Sequence, residues 1–151
     1  MDKIFETALF TRKALINLME AKSREELVKI PENFSNSIFW NIAHLLVTPQ
    51  LLCYRRSGLE IRIDEEMVAK YGKGTKPTEV ILDKDIDYVK EHLLKSIATL
   101  RDDYYKGVFS NYEPYLTSTK IELSSIKEAL NFSAFHDGIH LGIILSLKKI
   151  V

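Results

Sequence analysis

Cysteine occurs once in the 151 residues, at Cys53, so no disulfide can form within the chain, and a reducing compartment suits it. Charge of one sign is missing too. Lys and Arg total 21, Asp and Glu total 21, and this balance leaves no electrostatic footprint for nucleic acid or an anionic membrane surface. The N-terminal stretch "MDKIFETALFTRKALINLME" carries charges throughout, which argues against a secretory signal or a membrane span there. Repeats, low-complexity tracts and domain boundaries are also lacking. The expectation is a cytoplasmic protein forming one domain over residues 1–151, with no nucleic-acid or membrane partner. What the chain does have is ordinary globular material: 46% apolar and 28% charged residues, enough for a single core.

Helical periodicity dominates that material. Ile4, Phe5, Ala8, Leu15, Leu18 and Met19 recur at spacings of three and four, predicting an amphipathic helix over about residues 2–22. The segment "SREE" fits a capping box and predicts a short helical turn. A second long helix runs from Ser37 through "IFWNIAHLLVTPQLLCYRRSG" to Gly58. Pro49 lies inside it and should kink it, because proline supplies no N–H and its ring clashes with the preceding turn. Residues 58–79 look irregular, a length of loop that suggests a cover over a pocket. A third helix is expected over 79–106 with Ile86, Val89, Leu93, Ile97 and Leu100 as its core stripe. The stretch "GVFSNYEPYLTSTKIELS" can hold a short extended segment. The last helix starts at Ser125, where "SIKE" suggests a second capping box, and runs to the end. The fold class is therefore all-α, a four-helix bundle with a long crossover excursion after the second helix.

Near the C-terminus stands "FHDGIHLGII". His136 and His140 are one helical turn apart and roughly 40° apart around the axis, so both rings can converge on one ion. Ala129, Ser133, Ile144 and Leu147 share their face, which makes it the inward one, and its small residues leave room for a ligand. The motif resembles the zinc-protease pattern His-Glu-x-x-His, with Asp137 where that pattern has Glu. Zincins take a third ligand from downstream, yet none of the eleven residues after His140 is His, Asp, Glu or Cys. The protease reading fails, and the third ligand is expected upstream. His44 is the best candidate, on an almost wholly apolar helix and in line with Trp40, Asn41, Val47 and Leu51. One divalent ion would satisfy three inward imidazoles that otherwise each need a partner. Asp137, shorter than Glu, is expected to orient a ligand ring or to lie at the surface. His92 falls off its helix's apolar stripe and is left out of the site.

Three features together resemble the DinB-like (DNA-damage-inducible) superfamily of four-helix bundles. They are "SNSIFWNIAHLL", with His44 one turn after Trp40; "ALNFSAFHDGIHLGII", with its His-x-x-x-His-x-Gly pattern; and four helices with a long excursion after the second. The resemblance implies a divalent-metal site of His44, His136 and His140, frequently filled by nickel or zinc, with water or a small-molecule substrate in the open positions. It implies a homodimer as well. Relatives with assigned activities include transferases and isomerases that use a low-molecular-weight thiol, bacillithiol or mycothiol. Ile143 departs from the pattern, since many members carry glutamine there, and this weakens the inference of a shared substrate.

Three neutral imidazoles leave an ion its full charge and an open position, as in catalytic zinc sites. The expected function is a metal-dependent enzyme that activates a small thiol or water for transfer to, or hydrolysis of, a small substrate. The rival is a non-catalytic stress-response or binding protein whose metal props the bundle. No catalytic base is identifiable; Asn41, Thr48 and Ser133 lie on the histidine faces as candidates for polar contacts, though each reads more simply as an ordinary helix residue. Cys53 reads as a buried inert thiol. Gly138 and Gly142 suggest the close approach of another helix, within the bundle or across a dimer.

Overall fold

The structure is a computed structural model that describes residues 1–77 and 80–151. Four long helices form the bundle: α1 (Asp2–Ala21), α3 (Ile38–Pro49), α5 (Asp83–Tyr105) and α6 (Ile126–Leu147). Short helices α2 (Arg24–Val28) and α4 (Glu65–Tyr71) lie in the connections, and a two-stranded antiparallel ribbon, β1 (Tyr115–Leu116) with β2 (Glu122–Leu123), precedes α6. The protein is thus an all-α bundle apart from that ribbon. α1 packs mainly on α5 and α3 mainly on α6, while α3 also touches α2, α4 and α5.

α3 is the central helix because nearly nothing in it needs water. All twelve of its residues are buried, and the main apolar cluster gathers around them with Leu15 and Met19 of α1 and Val89 and Leu93 of α5. A second cluster fills the other end, where Phe5, Leu52, Cys53, Tyr54, Ile97, Leu100 and Leu130 meet. The stripe expected for α5, Ile86, Val89, Leu93, Ile97 and Leu100, is buried throughout.

Pro49 disturbs the second long helix as expected, and the disturbance takes a definite form. α3 ends on Pro49 and continues as a π-helical turn over Gln50–Tyr54 and a 3-10 turn over Arg55–Ser57. Proline at position 49 cannot donate to the carbonyl of Leu45, four residues back, so that oxygen is released inside the core. The Nη2 of Arg12 takes it at 3.1 Å. Gly58 ends the run in the left-handed region, at φ 72°, where a side chain would be strained.

The excursion after α3 is less irregular than its sequence suggests. Asp64 precedes α4, two glutamates sit in the first turn, and Met67 and Tyr71 bury one face. Its apolar residues are too few to show a period, so the seven-residue helix escaped sequence reading. α5 begins at Asp83, later than anticipated; Thr78 and Glu79, including the expected start, lie outside the described residues. The "SREE" capping box is complete, with Ser23 accepting from Glu26 N–H and Glu26 accepting from Ser23 N–H. At α6 only half of the box exists. Ser125 caps Glu128 N–H at 3.3 Å, whereas the Glu128 carboxylate reaches the N–H of Ser124. α6 ends at Leu147 rather than at the last residue.

Candidate metal centre

His44, His136 and His140 meet between α3 and α6. One ligand-type nitrogen from each lies within 4.8 Å of the others, and no other such group of histidine, cysteine or carboxylate side chains exists among the described residues. Ring centroids are 5.1 Å apart for His44 and His136, 4.9 Å for His44 and His140, and 4.4 Å for His136 and His140. The two helices that supply them pack closely.

Partners of the outer nitrogens settle two of the tautomers. Nδ1 of His44 lies 2.6 Å from the backbone carbonyl of Tyr71, which can only accept, so Nδ1 carries the proton. Nδ1 of His140 lies 2.7 Å from Oδ1 of Asn41. The Asn41 amide is itself fixed, because its Nδ2 donates to the Ser37 carbonyl at 2.7 Å. Oδ1 must then accept, and His140 donates from Nδ1. In both rings the Nε2 lone pair is left for the site, the usual device by which an outer hydrogen bond aims a metal-ligating imidazole. Trp40 stacks on His44 at 4.8 Å and 11° and donates from its indole to Thr75 Oγ1. Tyr71 and Thr75 both belong to the excursion after α3. That segment therefore holds the His44 ring in place, which is the physical content of its expected role as a cover.

Burial lowers the proton affinity of all three rings. His136 is pushed down to about 3 by desolvation first and then by His140, His44 and Arg12. His140 falls to about 4 through desolvation and then His44. His44 is lowered by desolvation, with the Tyr71 carbonyl opposing. The rings are neutral at pH 7, the form that binds a metal. Nδ1 of His136 is buried with no hydrogen-bond partner. An unpaired buried nitrogen beside two imidazoles with lone pairs turned to the site is the arrangement that a divalent cation would satisfy, so the residues fit the ion that the sequence suggested.

The family model of the DinB superfamily matches residues 8–144, a span that contains all three histidines. The chain belongs to the DinB superfamily. No curated protein matches it significantly. Within this DinB bundle the trio opens onto a cavity of about 720 Å³, whose lining includes Trp40, Thr48, Leu51, Leu52 and Phe132 together with Arg55, Arg56, Lys73 and Tyr115. Its apolar walls with a few convergent polar groups are typical of a small-molecule site. Thr48 donates to the His44 carbonyl at 2.9 Å and lies 3.3 Å from His44 Nε2, which turns an accepting oxygen toward the centre.

Several expectations for this region need correction. Asp137 neither orients a ligand ring nor lies at the surface: both of its oxygens bind Arg12 of α1, at 2.7 and 2.9 Å. Being tied there, it is no base for the site. Ala129 and Ser133 are buried but do not open the histidine cavity. Ser133 and Asp137 instead border a separate void of about 20 Å³ against α1, and Ser133 Oγ lacks a partner. Gly138 and Gly142 have nothing within 4 Å of where a Cβ would sit, so no helix of the bundle approaches them. Ile143 packs against the main core and is absent from the cavity wall. His92 stays apart, stacked on Tyr88 at 3.9 Å. Cys53 is fully buried, and desolvation raises its thiol far above the ordinary range, as expected of an inert residue.

Sequence reading missed Arg12 altogether. The signal was present: Phe5, Ala8, Arg12, Leu15 and Met19 form one helical stripe, and a charge on such a stripe demands an interior counter-charge. No helix of the described residues is long and apolar enough to cross a membrane.

Proposed function

We propose that the protein is a metal-dependent enzyme in which His44, His136 and His140 hold a divalent ion, nickel or zinc, at the floor of a pocket for a small-molecule substrate. The observation that carries this reading is the opening of three neutral, converging imidazoles onto a roomy cavity rather than into a sealed core. When bound, such an ion lowers the pKa of a coordinated thiol or water, providing a nucleophile near neutral pH for transfer or hydrolysis. Thiol transfer is favoured over hydrolysis, since the wall nearest the histidines is apolar and Asp137 is unavailable as a base. Asn41 and the Tyr71 carbonyl orient the rings, and Thr48 offers an acceptor to a protic group entering the site. The excursion and Phe132 restrict water. A buried single cysteine and balanced charge support a cytoplasmic setting without a nucleic-acid partner.

The test is metal analysis of the purified protein, followed by cobalt substitution and titration with bacillithiol. About one equivalent of metal and a new thiolate-to-cobalt absorption band are expected. A chain that binds no divalent ion stoichiometrically would end the reading. Metal that cannot exchange, and whose removal unfolds the bundle, would turn it into the rival reading of a structural metal in a non-catalytic binding protein.

The outer face of α6 supports a homodimer. Phe135, Ile139 and Leu145 are exposed there beside Gly138 and Gly142, whose lack of side chains lets a second helix come close. Light scattering should report twice the 17.4 kDa chain mass, and Gly138→Gln should shift it to the monomer.

A further inference from the structure

The pocket is uneven in charge. Three cationic side chains, Arg55, Arg56 and Lys73, line it against one carboxylate, Glu113, although the whole chain is balanced. Arg55 is already satisfied, since its Nη2 lies 2.5 and 2.7 Å from the two oxygens of Glu65. Arg56 is not. Among the described residues its one ion-pair contact is a single Glu113 oxygen at 3.3 Å, from a side chain that is 72% exposed and easily displaced. Arg56 is nonetheless held in position, because its guanidinium carbon sits 4.4 Å from the Tyr115 ring centre and its carbonyl accepts from Glu113 N–H at 2.6 Å. Lys73 lies apart from Arg56, at the histidine end of the pocket, because its neighbours Tyr71 and Thr75 are bonded to His44 and Trp40.

We propose that Arg56 forms an anion subsite that receives the carboxylate of a small amphiphilic substrate. The apolar part of that substrate would lie on Leu51, Leu52 and Phe132, with its reactive end toward the histidines. A guanidinium backed by an aromatic ring provides the forked donors that a carboxylate accepts well. Glu113 then acts as a weak stand-in that a better-placed anion replaces. The assignment deepens the metal-enzyme reading, whose pocket it uses, but it can be tested without metal.

The only tryptophan of the chain, Trp40, lines the same cavity, so its emission reports occupancy. Metal-free protein would be titrated with hexanoate and with hexan-1-ol, which match in length and differ in charge. Hexanoate should bind about tenfold more tightly, the ratio expected for a partly exposed charge-assisted contact. In Arg56→Gln the two ligands should bind alike, with the alcohol unchanged, and Arg56→Lys should keep much of the preference. No advantage for hexanoate in the unsubstituted protein, including failure of both ligands to bind, would overturn the subsite. So would an advantage that survives Arg56→Gln. Failure of the metal reading is visible separately, as a hexanoate preference in a protein that takes up no divalent ion.

Discussion

Replacing Arg12 by Met is the sharpest test of how the bundle tolerates charge in its interior. The guanidinium is buried, its side chain 1% exposed against 11% for Asp137. It makes two short bonds to that carboxylate and a third to the Leu45 carbonyl, while its Nε finds no partner. The favourable Coulomb term and the desolvation of two ions nearly cancel in such a pair, so the pair itself adds little net stability. Removing one member is different. Asp137 would keep its charge in an apolar setting, which costs about 3–5 kcal/mol, and the Leu45 carbonyl would lose its donor.

The sign of a second comparison separates this account from simple loss of contacts. Arg12→Met/Asp137→Leu removes both charges and leaves the Leu45 carbonyl as the main debit, about 1–3 kcal/mol. The double variant should therefore be more stable than Arg12→Met alone. Urea unfolding of metal-free protein at pH 7, followed by far-UV circular dichroism, measures both. Thermal melting should show Arg12→Met lowered by roughly 10 °C for a chain of this size. If Arg12→Met costs under about 1 kcal/mol, or if the double variant loses the sum of the two single losses, the reasoning is wrong.

His136→Ala/His140→Ala should abolish stoichiometric nickel or zinc binding by isothermal titration, and His44→Ala should weaken it strongly; His92→Ala, outside the trio, should leave it unchanged. Asn41→Leu removes the acceptor that aims His140 and should weaken metal affinity about 10–100-fold, read by competition with a chelating dye. The depressed histidines also fix a pH dependence. Between the ordinary value near 6.5 and the folded values of about 3 and 4 for His136 and His140, the unfolded chain binds more protons than the native one. Metal-free protein should then keep its full histidine-dependent stability above pH 6.5 and lose it as the pH falls toward 4. Chemical denaturation across that range checks this, and His136→Ala/His140→Ala should flatten the slope.

Long periodic stretches were legible because burial repeats with the helix. The stripes of α1 and α5 and the inward face of α6 follow directly from apolar spacing, and the three histidines stood out as polar groups on such faces. α4 was not legible, since seven residues give too few turns for a period to declare itself. Asp137 was misjudged for another reason. A wheel position tells how far a side chain is from its neighbours on one helix, but its partner came from α1, over a hundred residues away in sequence. The Pro49 disturbance was foreseen, yet its consequence depended on which donor would claim the Leu45 carbonyl. The pocket wall was equally hidden, because Tyr115 and Lys73 reach it from a ribbon and a loop with no regular pattern.

One residue step on α6 separates two opposite uses of buried polarity. His136 turns toward α3, where burial keeps it neutral and ready to bind, and Asp137 turns toward α1, where a guanidinium keeps its charge balanced. The same Arg12 also takes up the carbonyl that Pro49 frees, and the π turn that follows carries Leu51 and Leu52 along the pocket wall toward Arg56. Arg12 thus ties α6 to α1 through Asp137 and to α3 through the Leu45 carbonyl, and the placement of α6 on α3 decides whether the histidines meet. Arg12 additionally lowers the proton affinity of His136 through its charge. Loss of the pair should consequently loosen the histidine trio without touching its members, whereas loss of one histidine leaves the pair intact. That asymmetry makes Arg12 and Asp137 supports of the site and the three imidazoles its working parts.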